Sequence, residues 1–235
     1  MFMERRHSCL RPEPRERLTY THLTKLNSNI INEENIMFFN PDEYYIEKEG
    51  GNLPHRHQNG KIQYVTFRLG DSLPSIMLDD IKRWINLFTH INPKPWNRET
   101  LRLYHSTITP RVQQMLDQGH GSCVLNHKKL RDIVSSTIFF KDETEYMVRA
   151  FVIMPNHVHL LIQPYGEREL EDIMRTIKSY SACKINKEIG SKGQVWARES
   201  FDRLVRSEEH YKHCLHYIQN NPRNLPQDEY TLYIR

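Results

Sequence analysis

Hydrophobic and polar positions alternate along residues 61–69, KIQYVTFRL, in a segment bounded by glycines. Because successive side chains on a strand point to opposite faces of a sheet, this pattern predicts a β-strand. Residues 145–154 and 157–164 are two further runs rich in apolar and β-branched residues, and they meet at Pro155. These runs predict two neighbouring strands, or one strand bent at the proline.

Other segments have the periodicity of helices. The clearest example has acidic residues in its first turn, an apolar stripe that includes Ile173 and Ile177, and a terminal Gly190. Helices interleaved with strands on a small sheet predict an α+β sandwich and not a doubly wound parallel sheet. The predicted helices cover residues 75–91, 97–118, 126–140 and 167–190, and a last helix begins at Ser207 and ends before Pro222.

The composition is that of a folded globular protein, with 38% hydrophobic and 26% charged residues in a chain of 235. The four cysteines are scattered without a C-x-x-C pair, so neither a zinc ribbon nor a disulfide framework is predicted. No apolar run approaches the roughly 18 residues of a membrane-spanning helix. We therefore expect a cytoplasmic protein that does not contact a membrane.

Positive charge is concentrated between Arg175 and Arg206, where there are eight lysines and arginines and three acidic residues. The whole chain has a net charge of only +4, so the rest of it is close to neutral. Such a window is typical of a phosphate-binding face, but a solvated helix face gives the same pattern. Residues 1–60 are polar and poorly periodic, which predicts an extended N-terminal arm.

His157 and His159 lie one residue apart in the second apolar run, so on a strand both project from the same face. Neutral imidazole is the commonest side-chain metal ligand, and burying two imidazoles without partners is costly. The pair therefore predicts a metal site with open positions, whose third ligand comes from another segment. The alternative is a chance H-x-H in a chain with thirteen histidines.

Tyr180 lies at the edge of the apolar stripe of helix 167–190, followed on the same edge by Lys184 and Lys187. Nearby cations favour the ionised form of a phenol, whose free pKa is about 10, so Tyr180 is a candidate nucleophile toward a phosphodiester. The alternative is a boundary residue with its ring in the core and its hydroxyl in water. Lys178, Lys184 and Lys187, all on this helix, are candidates for nucleic-acid binding.

Aromatic and basic residues are interleaved in the segment VWARESFDRLVR, residues 195–206. Trp196 and Phe201 are suited to stacking on unpaired bases, while the arginines are suited to binding phosphates. The alternative is that the two aromatic rings pack in the core. The candidate nucleic-acid-binding arginines are Arg198, Arg203 and Arg206.

Four segments, in this order along the chain, resemble the REP-associated tyrosine transposases, which belong to the single-tyrosine HUH nucleases. They are LPHRHQNGKIQYVTFRLGDSLP (53–74), FVIMPNHVHLLI (151–162), IKSYSACKIN (177–186) and GQVWARESFDRLVRSEEHYKHCLHYIQNNP (193–222). This resemblance divides the chain into an N-terminal extension (1–52), a transposase domain (53–222) and a C-terminal tail (223–235).

The resemblance implies a ferredoxin-like antiparallel sheet with helices packed on one face. It also implies cleavage and rejoining of single-stranded DNA at palindromic hairpins, with a Mg²⁺ or Mn²⁺ ion and a tyrosine that becomes joined to a 5′ phosphate. By this resemblance His157 and His159 are the metal ligands, and Tyr180 matches the nucleophile. The expected partner is single-stranded or hairpin DNA, without an organic cofactor, and the protein is a monomer or a homodimer.

Two other functions are open alternatives. A domesticated protein would bind nucleic-acid hairpins without cleaving them, and a metal-dependent phosphoesterase would use water in place of a tyrosine. A covalent protein–DNA adduct would separate the transposase from both alternatives. The position of the adduct would also distinguish Tyr180 from Tyr165, Tyr211 and Tyr217.

Overall fold

The computed structural model describes residues 37–40, 42–43, 46–50 and 53–235. Most of the predicted N-terminal extension therefore lies outside the described residues. The strands are β1 (Ile46–Gly50), β2 (Leu53–His57), β3 (Gln63–Arg68), β4 (Tyr146–Ile153), β5 (His157–Pro164), β6 (Phe201–Leu204) and β7 (Thr231–Ile234). The α-helices are α1 (Ser75–Ile91), α2 (Arg98–Asp117), α3 (Lys128–Phe139), α4 (Leu170–Ile189) and α5 (Glu208–Asn220), and there are 3₁₀ turns at Val124–Asn126 and Asn221–Asn224.

The central sheet has five strands in the order β6-β3-β5-β4-β7, and every neighbouring pair in it is antiparallel. Strands β3, β4, β5 and β6, with α3 before β4 and α4 after β5, have the order of a ferredoxin-like fold. The predicted α+β class and ferredoxin-like sheet are confirmed. The short strands β1 and β2 form a separate hairpin.

One face of the sheet is covered by α3 and α4. Alternate residues of β5, including Val158 and Leu160, are completely buried against the apolar side chains of these helices, such as Ile138 and Ile177. Residues that alternate along the strand pack in this core against residues that recur every 3.6 positions along the helices. Both patterns are therefore strong in the sequence. The indole of Trp196 belongs to the same core and donates to Ser181 Oγ at 2.9 Å.

The opposite face of the sheet is covered by α5. Cys214 and Ile218 of this helix are completely buried against Tyr64, Val152 and other side chains of β3, β4 and β5. The helices α3 and α4 lie on one face as expected, and α5 additionally covers the second face because its own apolar stripe needs a partner. We call this second face the histidine face, since His157 and His159 project from it.

A helical hairpin, α1 and α2, is inserted between β3 and α3 and has a core of its own. The rings of Phe88, Trp96 and Tyr104 pack together there, with centroids 5.1–5.4 Å apart. Helix α2 continues through Pro110 and ends at Asp117. The hairpin therefore places the end of α2 beside the central sheet.

The ends of two predicted helices have the capping expected of them. Gly190 terminates α4 in the left-handed conformation, with φ at 67°, and the Ser207 side chain accepts from His210 N at the start of α5. The predicted C-terminal tail contributes β7, which pairs with β4 at the edge of the sheet. Among the described residues, no helix is both long and apolar enough to cross a lipid bilayer.

The loop after α2 depends on a glycine. Gly121 has φ at +91°, and a Cβ there would lie 2.5 Å from the carbonyl oxygen of Asp71. Gly119 also has positive φ, at +70°, but nothing lies within 4 Å of its Cβ position. The close approach to Asp71 is reinforced by a hydrogen bond of 2.8 Å from Ser122 N to Asp71 Oδ2.

We predict that Gly121→Ala destabilises the protein more than Gly119→Ala does. Both substitutions incur the strain of positive φ, roughly 1–3 kcal/mol, and only Gly121→Ala adds overpacking of similar size. Urea unfolding of both variants measures the difference in the free energy of unfolding. Equal losses in the two variants would show that the contact with Asp71 is not a constraint on the fold.

Candidate metal and nucleophile site

The two histidines lie on β5 in the interior of the protein. Their side chains are 1% and 0% exposed, and both project from the histidine face because they are two residues apart on a strand. Their Nε2 atoms are 3.1 Å apart. Two nitrogens that bind one cation at right angles, at about 2.1 Å each, lie ~3 Å apart, so the spacing of the pair fits a shared ion.

His157 is oriented by Asn156, which is itself buried. The Asn156 amide donates to the carbonyls of Leu116 and His120, at 3.2 and 3.0 Å, and this fixes which end of the amide is the oxygen. That oxygen is 2.7 Å from Nδ1 of His157 and can only accept, so Nδ1 carries the proton. The Nε2 atom of His157 is therefore left with a lone pair for a metal ion.

His159 is oriented by two hydroxyl groups of β3. Its Nδ1 lies 2.9 Å from Tyr64 Oη and 2.8 Å from Thr66 Oγ1, because the register of β3 and β5 pairs Thr66 with His159. These contacts direct the Nε2 atom of His159 toward that of His157. The Nδ1 atoms of both histidines are therefore hydrogen-bonded, as in metal-binding imidazoles.

Burial keeps both imidazoles neutral. It lowers the pKa of His157 to about 3, and it lowers the pKa of His159 well below its usual range, with help from the charges of His157 and Arg203. A neutral imidazole is the form that binds a metal ion. Near neutral pH neither ring needs to lose a proton before it can act as a ligand.

Asp117, the last residue of α2, adds a carboxylate to the pair. Its Oδ1 atom lies 3.7 Å from Nε2 of His157, and the ligand atoms of Asp117, His157 and His159 all lie within 4.8 Å of one another. Burial raises the pKa of this carboxyl. Among the described residues, this is the only group of three histidine, cysteine or carboxylate side chains close enough to bind one ion.

Tyr217 and Asn221, at the end of α5, approach the histidines and Asp117 from the side opposite to α2. The Tyr217 ring meets the His159 ring edge to face, with centroids 5.2 Å apart, and Asn221 Nδ2 is 3.3 Å from Asp117 Oδ1. The amide oxygen of Asn221 is buried without a hydrogen-bond partner among the described residues, and the phenol oxygen of Tyr217 is buried beside the Asn221 side chain. Burial raises the pKa of Tyr217, and the charge of Asp117 raises it further.

A cleft of about 370 Å³ is lined by Asp117, Asn156, His157, Tyr217 and Asn221, among others. One wall consists of the end of α2, its loop and the turn between β4 and β5, and it carries Asp117 and His157. The other wall consists of α5 and the turn Asn221–Asn224, and it carries Tyr217. The cleft therefore brings the imidazole of His157, a carboxylate, carboxamides and a phenol to one space that a ligand can enter. The Nε2 atom of the buried His159 lies 3.1 Å from that of His157.

Tyr180 is not part of this cleft. It lies on α4, which packs on the other face of the sheet, and its side chain is 51% exposed. Its ring stacks on Phe140 with centroids 6.4 Å apart, and Lys184 Nζ lies 5.3 Å from the Tyr180 centroid. Tyr180 does not face the histidines, because α4 directs its apolar stripe to the Val158 side of β5. Lys184 and Lys187 are exposed on the same helix.

The other predicted nucleic-acid-binding residues are dispersed. Lys178 donates to the carbonyl of Arg198 at 2.8 Å, and burial lowers its pKa to about 8. Arg203 packs its guanidinium 5.0 Å from the Tyr64 ring, behind His159. Arg198 is exposed and Arg206 is half-buried. Trp196 belongs to the core, as in the alternative interpretation of its segment.

Sequence reasoning missed Asp117, Asn156 and Asn221 as site residues, and it named Tyr217 only as an alternative position for the adduct. The available signal was the spacing of Tyr217 and Asn221, four residues apart at the end of an amphipathic helix and therefore on one face of it. The helix carries buried Cys214 and Ile218 beside them, which predicts that this face meets the core. No local pattern marks Asp117, because its place depends on the packing of the inserted hairpin.

The described part of the chain thus has an antiparallel ferredoxin-like sheet with a buried imidazole pair, beside a cleft lined by His157 and Tyr217. Residues 123–221 match the family model described as "Transposase IS200 like". This part of the chain is similar to the IS200-like transposases, and the resemblance found in the sequence is confirmed. The matched residues include both histidines and Tyr217, while Asp117 lies just before them.

Two solved structures are similar to the chain. One is a REP-associated tyrosine transposase bound to a REP hairpin, with 16% identity, a TM-score of 0.38, and coverage of 77% of this chain and 71% of that chain. The other is a candidate transposase from Deinococcus radiodurans R1, with 15% identity, a TM-score of 0.30, and coverage of 74% and 97%. At these values neither likeness decides the function. A comparison with curated proteins finds no relative.

We predict that the stability of the metal-free protein falls with acid partly through His157. The unfolded chain binds a proton at this residue below its usual pKa of 6.5, whereas the folded chain does not until about pH 3. The free energy of unfolding should therefore fall by roughly 3 kcal/mol between pH 7 and pH 4 from this group. Urea unfolding in EDTA measures it.

The matched variants are His157→Gln, which removes the titrating group, and His90→Gln, which removes an exposed histidine. The loss of stability with acid should be smaller in His157→Gln than in the unchanged protein, and unaltered in His90→Gln. An identical loss in all three proteins would contradict the assignment of this pH dependence to His157.

Proposed function

We propose that the protein is a metal-dependent transposase that cleaves and rejoins single-stranded DNA at hairpins, with Tyr217 as the nucleophile. The observation that carries the proposal is the position of the Tyr217 ring, 5.2 Å from the His159 ring in the cleft that also contains Asp117. A nucleophile for phosphoryl transfer must lie within reach of the charged groups that hold the phosphate. Tyr217 meets this requirement and Tyr180 does not.

The proposed ligands of the metal ion are the Nε2 atoms of His157 and His159 and the carboxylate of Asp117. The amide oxygen of Asn221 is a further candidate, since it is buried without a partner among the described residues. Two nitrogens with carboxylate and amide oxygens suit Mn²⁺, and Mg²⁺ is compatible through the oxygens and retained waters. A bound divalent cation would supply positive charge that polarises a phosphate oxygen and lowers the pKa of a neighbouring phenol.

The proposed reaction is a transesterification that conserves the number of phosphodiester bonds. The Tyr217 phenol gives up its proton, and its oxygen forms a bond to the phosphorus of the scissile phosphodiester. The bond from phosphorus to the 3′ oxygen breaks, and that oxygen takes up a proton as a free 3′ hydroxyl. The 5′ phosphate is left joined to Tyr217, and a second 3′ hydroxyl can reverse the reaction to rejoin the strand.

We predict that Tyr217→Phe folds normally but forms no covalent adduct with DNA. The substitution removes one oxygen and keeps the packing of the ring on His159, and the Asn221 side chain near that oxygen keeps its hydrogen bond to Asp117. Tyr180→Phe should form the adduct as readily as the unchanged protein. The measurement is denaturing electrophoresis with a suicide hairpin oligonucleotide and Mn²⁺, followed by mass spectrometry of the modified peptide.

Each alternative gives a distinct result in this assay. An adduct that persists in Tyr217→Phe and disappears in Tyr180→Phe would return the role to Tyr180. Cleavage without any adduct would favour attack by water. Hairpin binding without cleavage, in Mg²⁺ and in Mn²⁺, would favour the domesticated binding protein.

We predict that Asn156→Ala weakens metal binding by roughly 10- to 100-fold, the usual cost of removing a partner that orients a ligating histidine. The variant frees His157 to rotate and also releases the end of α2, which carries Asp117. Isothermal titration with Mn²⁺ measures the affinity. The control is Asn92→Ala, which removes an asparagine that donates to a helix-end carbonyl, Phe88 O at 3.1 Å, away from the histidines.

Equal Mn²⁺ affinity in Asn156→Ala and in the unchanged protein would contradict this role of Asn156. A loss of affinity that also appears in Asn92→Ala would mean that general destabilisation, and not the orientation of His157, is responsible.

A further inference from the structure

One wall of the cleft carries a set of polar side chains that the metal site does not use. They belong to α5 and to the 3₁₀ turn that follows it, and all of them are exposed. Along α5 they share a stripe with Tyr217, because residues three or four positions apart lie on the same helix face. The set, which we call the α5 wall, consists of His213, His216, Asn220, Arg223 and Asn224.

The α5 wall offers hydrogen-bond donors and one full positive charge. Arg223 has no ion-pair partner among the described residues, and it lies two residues beyond Asn221. No carboxylate belongs to this wall, since Asp117, the one acidic residue lining the cleft, lies on the opposite wall. A guanidinium with carboxamides and imidazoles beside it is a combination that binds phosphate oxygens and the edges of unpaired bases.

The lysines that the basic window contributes to α4 cannot supply this function at the cleft. Lys184 and Lys187 lie on α4, which covers the face of the sheet opposite to the histidines. A strand held along α4 would run past Tyr180 and stay separated from His157 by the thickness of the sheet. A strand that reaches His157 and Tyr217 has to pass along the walls of the cleft itself.

We propose that the α5 wall is the binding track for the single strand on which the protein acts, and that Arg223 holds a backbone phosphate next to the scissile one. The inference rests on the proposed function and names the surface that brings the substrate to Tyr217. Arg223 contributes affinity and register, while Tyr217 contributes the nucleophile. The basic residues of α4 are not part of this track.

The test is the salt dependence of single-strand binding. Each phosphate contact with a single strand contributes about 0.7 to the slope of log K against log salt concentration. We expect Arg223→Gln to lower the slope by about 0.7, and Arg223→Lys, which keeps the charge, to retain most of it. Fluorescence anisotropy with a labelled mixed-sequence single-stranded oligonucleotide measures the slope, in full-length protein carrying Tyr217→Phe so that the probe is not consumed.

The matched control is Arg102→Gln, which removes an exposed arginine of α2. Arg102 precedes Asp117 by fifteen residues, so helix geometry puts it roughly 22 Å from the cleft. The slope of this variant should equal that of the parent. Circular dichroism of each variant verifies that a changed slope does not come from unfolding.

An unchanged slope in Arg223→Gln overturns the inference, and so does an equal reduction in Arg102→Gln. If the slope is unchanged while the native protein still forms an adduct on Tyr217, only the binding track is wrong. If the slope falls as expected but no adduct forms, the track stands and the proposed chemistry fails.

Discussion

Two imidazole rings held away from water on one face of a sheet constrain the whole site. Their burial is tolerable because each Nδ1 atom has hydrogen-bond partners, Asn156 for His157 and the hydroxyls of Tyr64 and Thr66 for His159. Each partner is supplied by a neighbouring element, so the orientation of the rings is fixed by the register of β3 against β5 and by the turn before β5. The facing Nε2 atoms are a consequence of these contacts.

The same interactions connect the histidines to segments far away in the sequence. Asn156 donates to two carbonyls at the end of α2, which ties the inserted hairpin to the turn before β5 and sets Asp117 beside His157. On the other side, α5 covers the histidine face with its apolar residues and brings the Tyr217 ring against His159. The two walls of the cleft are thus set by the two elements that shield the imidazoles from water.

The sequence predicted the elements well because their periodicity is strong wherever a strand or helix borders the core. The prediction for 75–91 coincides with α1, and the same-face geometry of His157 and His159 follows from strand geometry alone. The face of the sheet that each helix covers was not predicted. The apolar stripe of α4 shows that the helix packs on something, but both faces of β5 are apolar, so the stripe does not tell which face it covers. The choice between Tyr180, the predicted nucleophile, and Tyr217 therefore depends on which helix packs against the histidine face. The short strands β6 and β7, four residues each, carry too little alternation to be found.

The charges of the cleft determine how the binding of a cation would affect the binding of a DNA strand. Without a cation, burial and the carboxylate of Asp117 both hold the pKa of Tyr217 above its usual range, so the phenol keeps its proton. A phosphodiester entering that cleft adds another negative charge beside Asp117, which is unfavourable in a partly buried site. A divalent cation bound by the histidines and Asp117 would reverse both effects, and Arg223 would neutralise part of the strand's negative charge at the rim of the cleft.

If Tyr217 is the nucleophile, cation and strand therefore favour each other's binding, since each offsets a charge that opposes the other. The raised pKa of the free phenol then keeps the tyrosine unreactive until both are bound, while its packing against His159 keeps it in place.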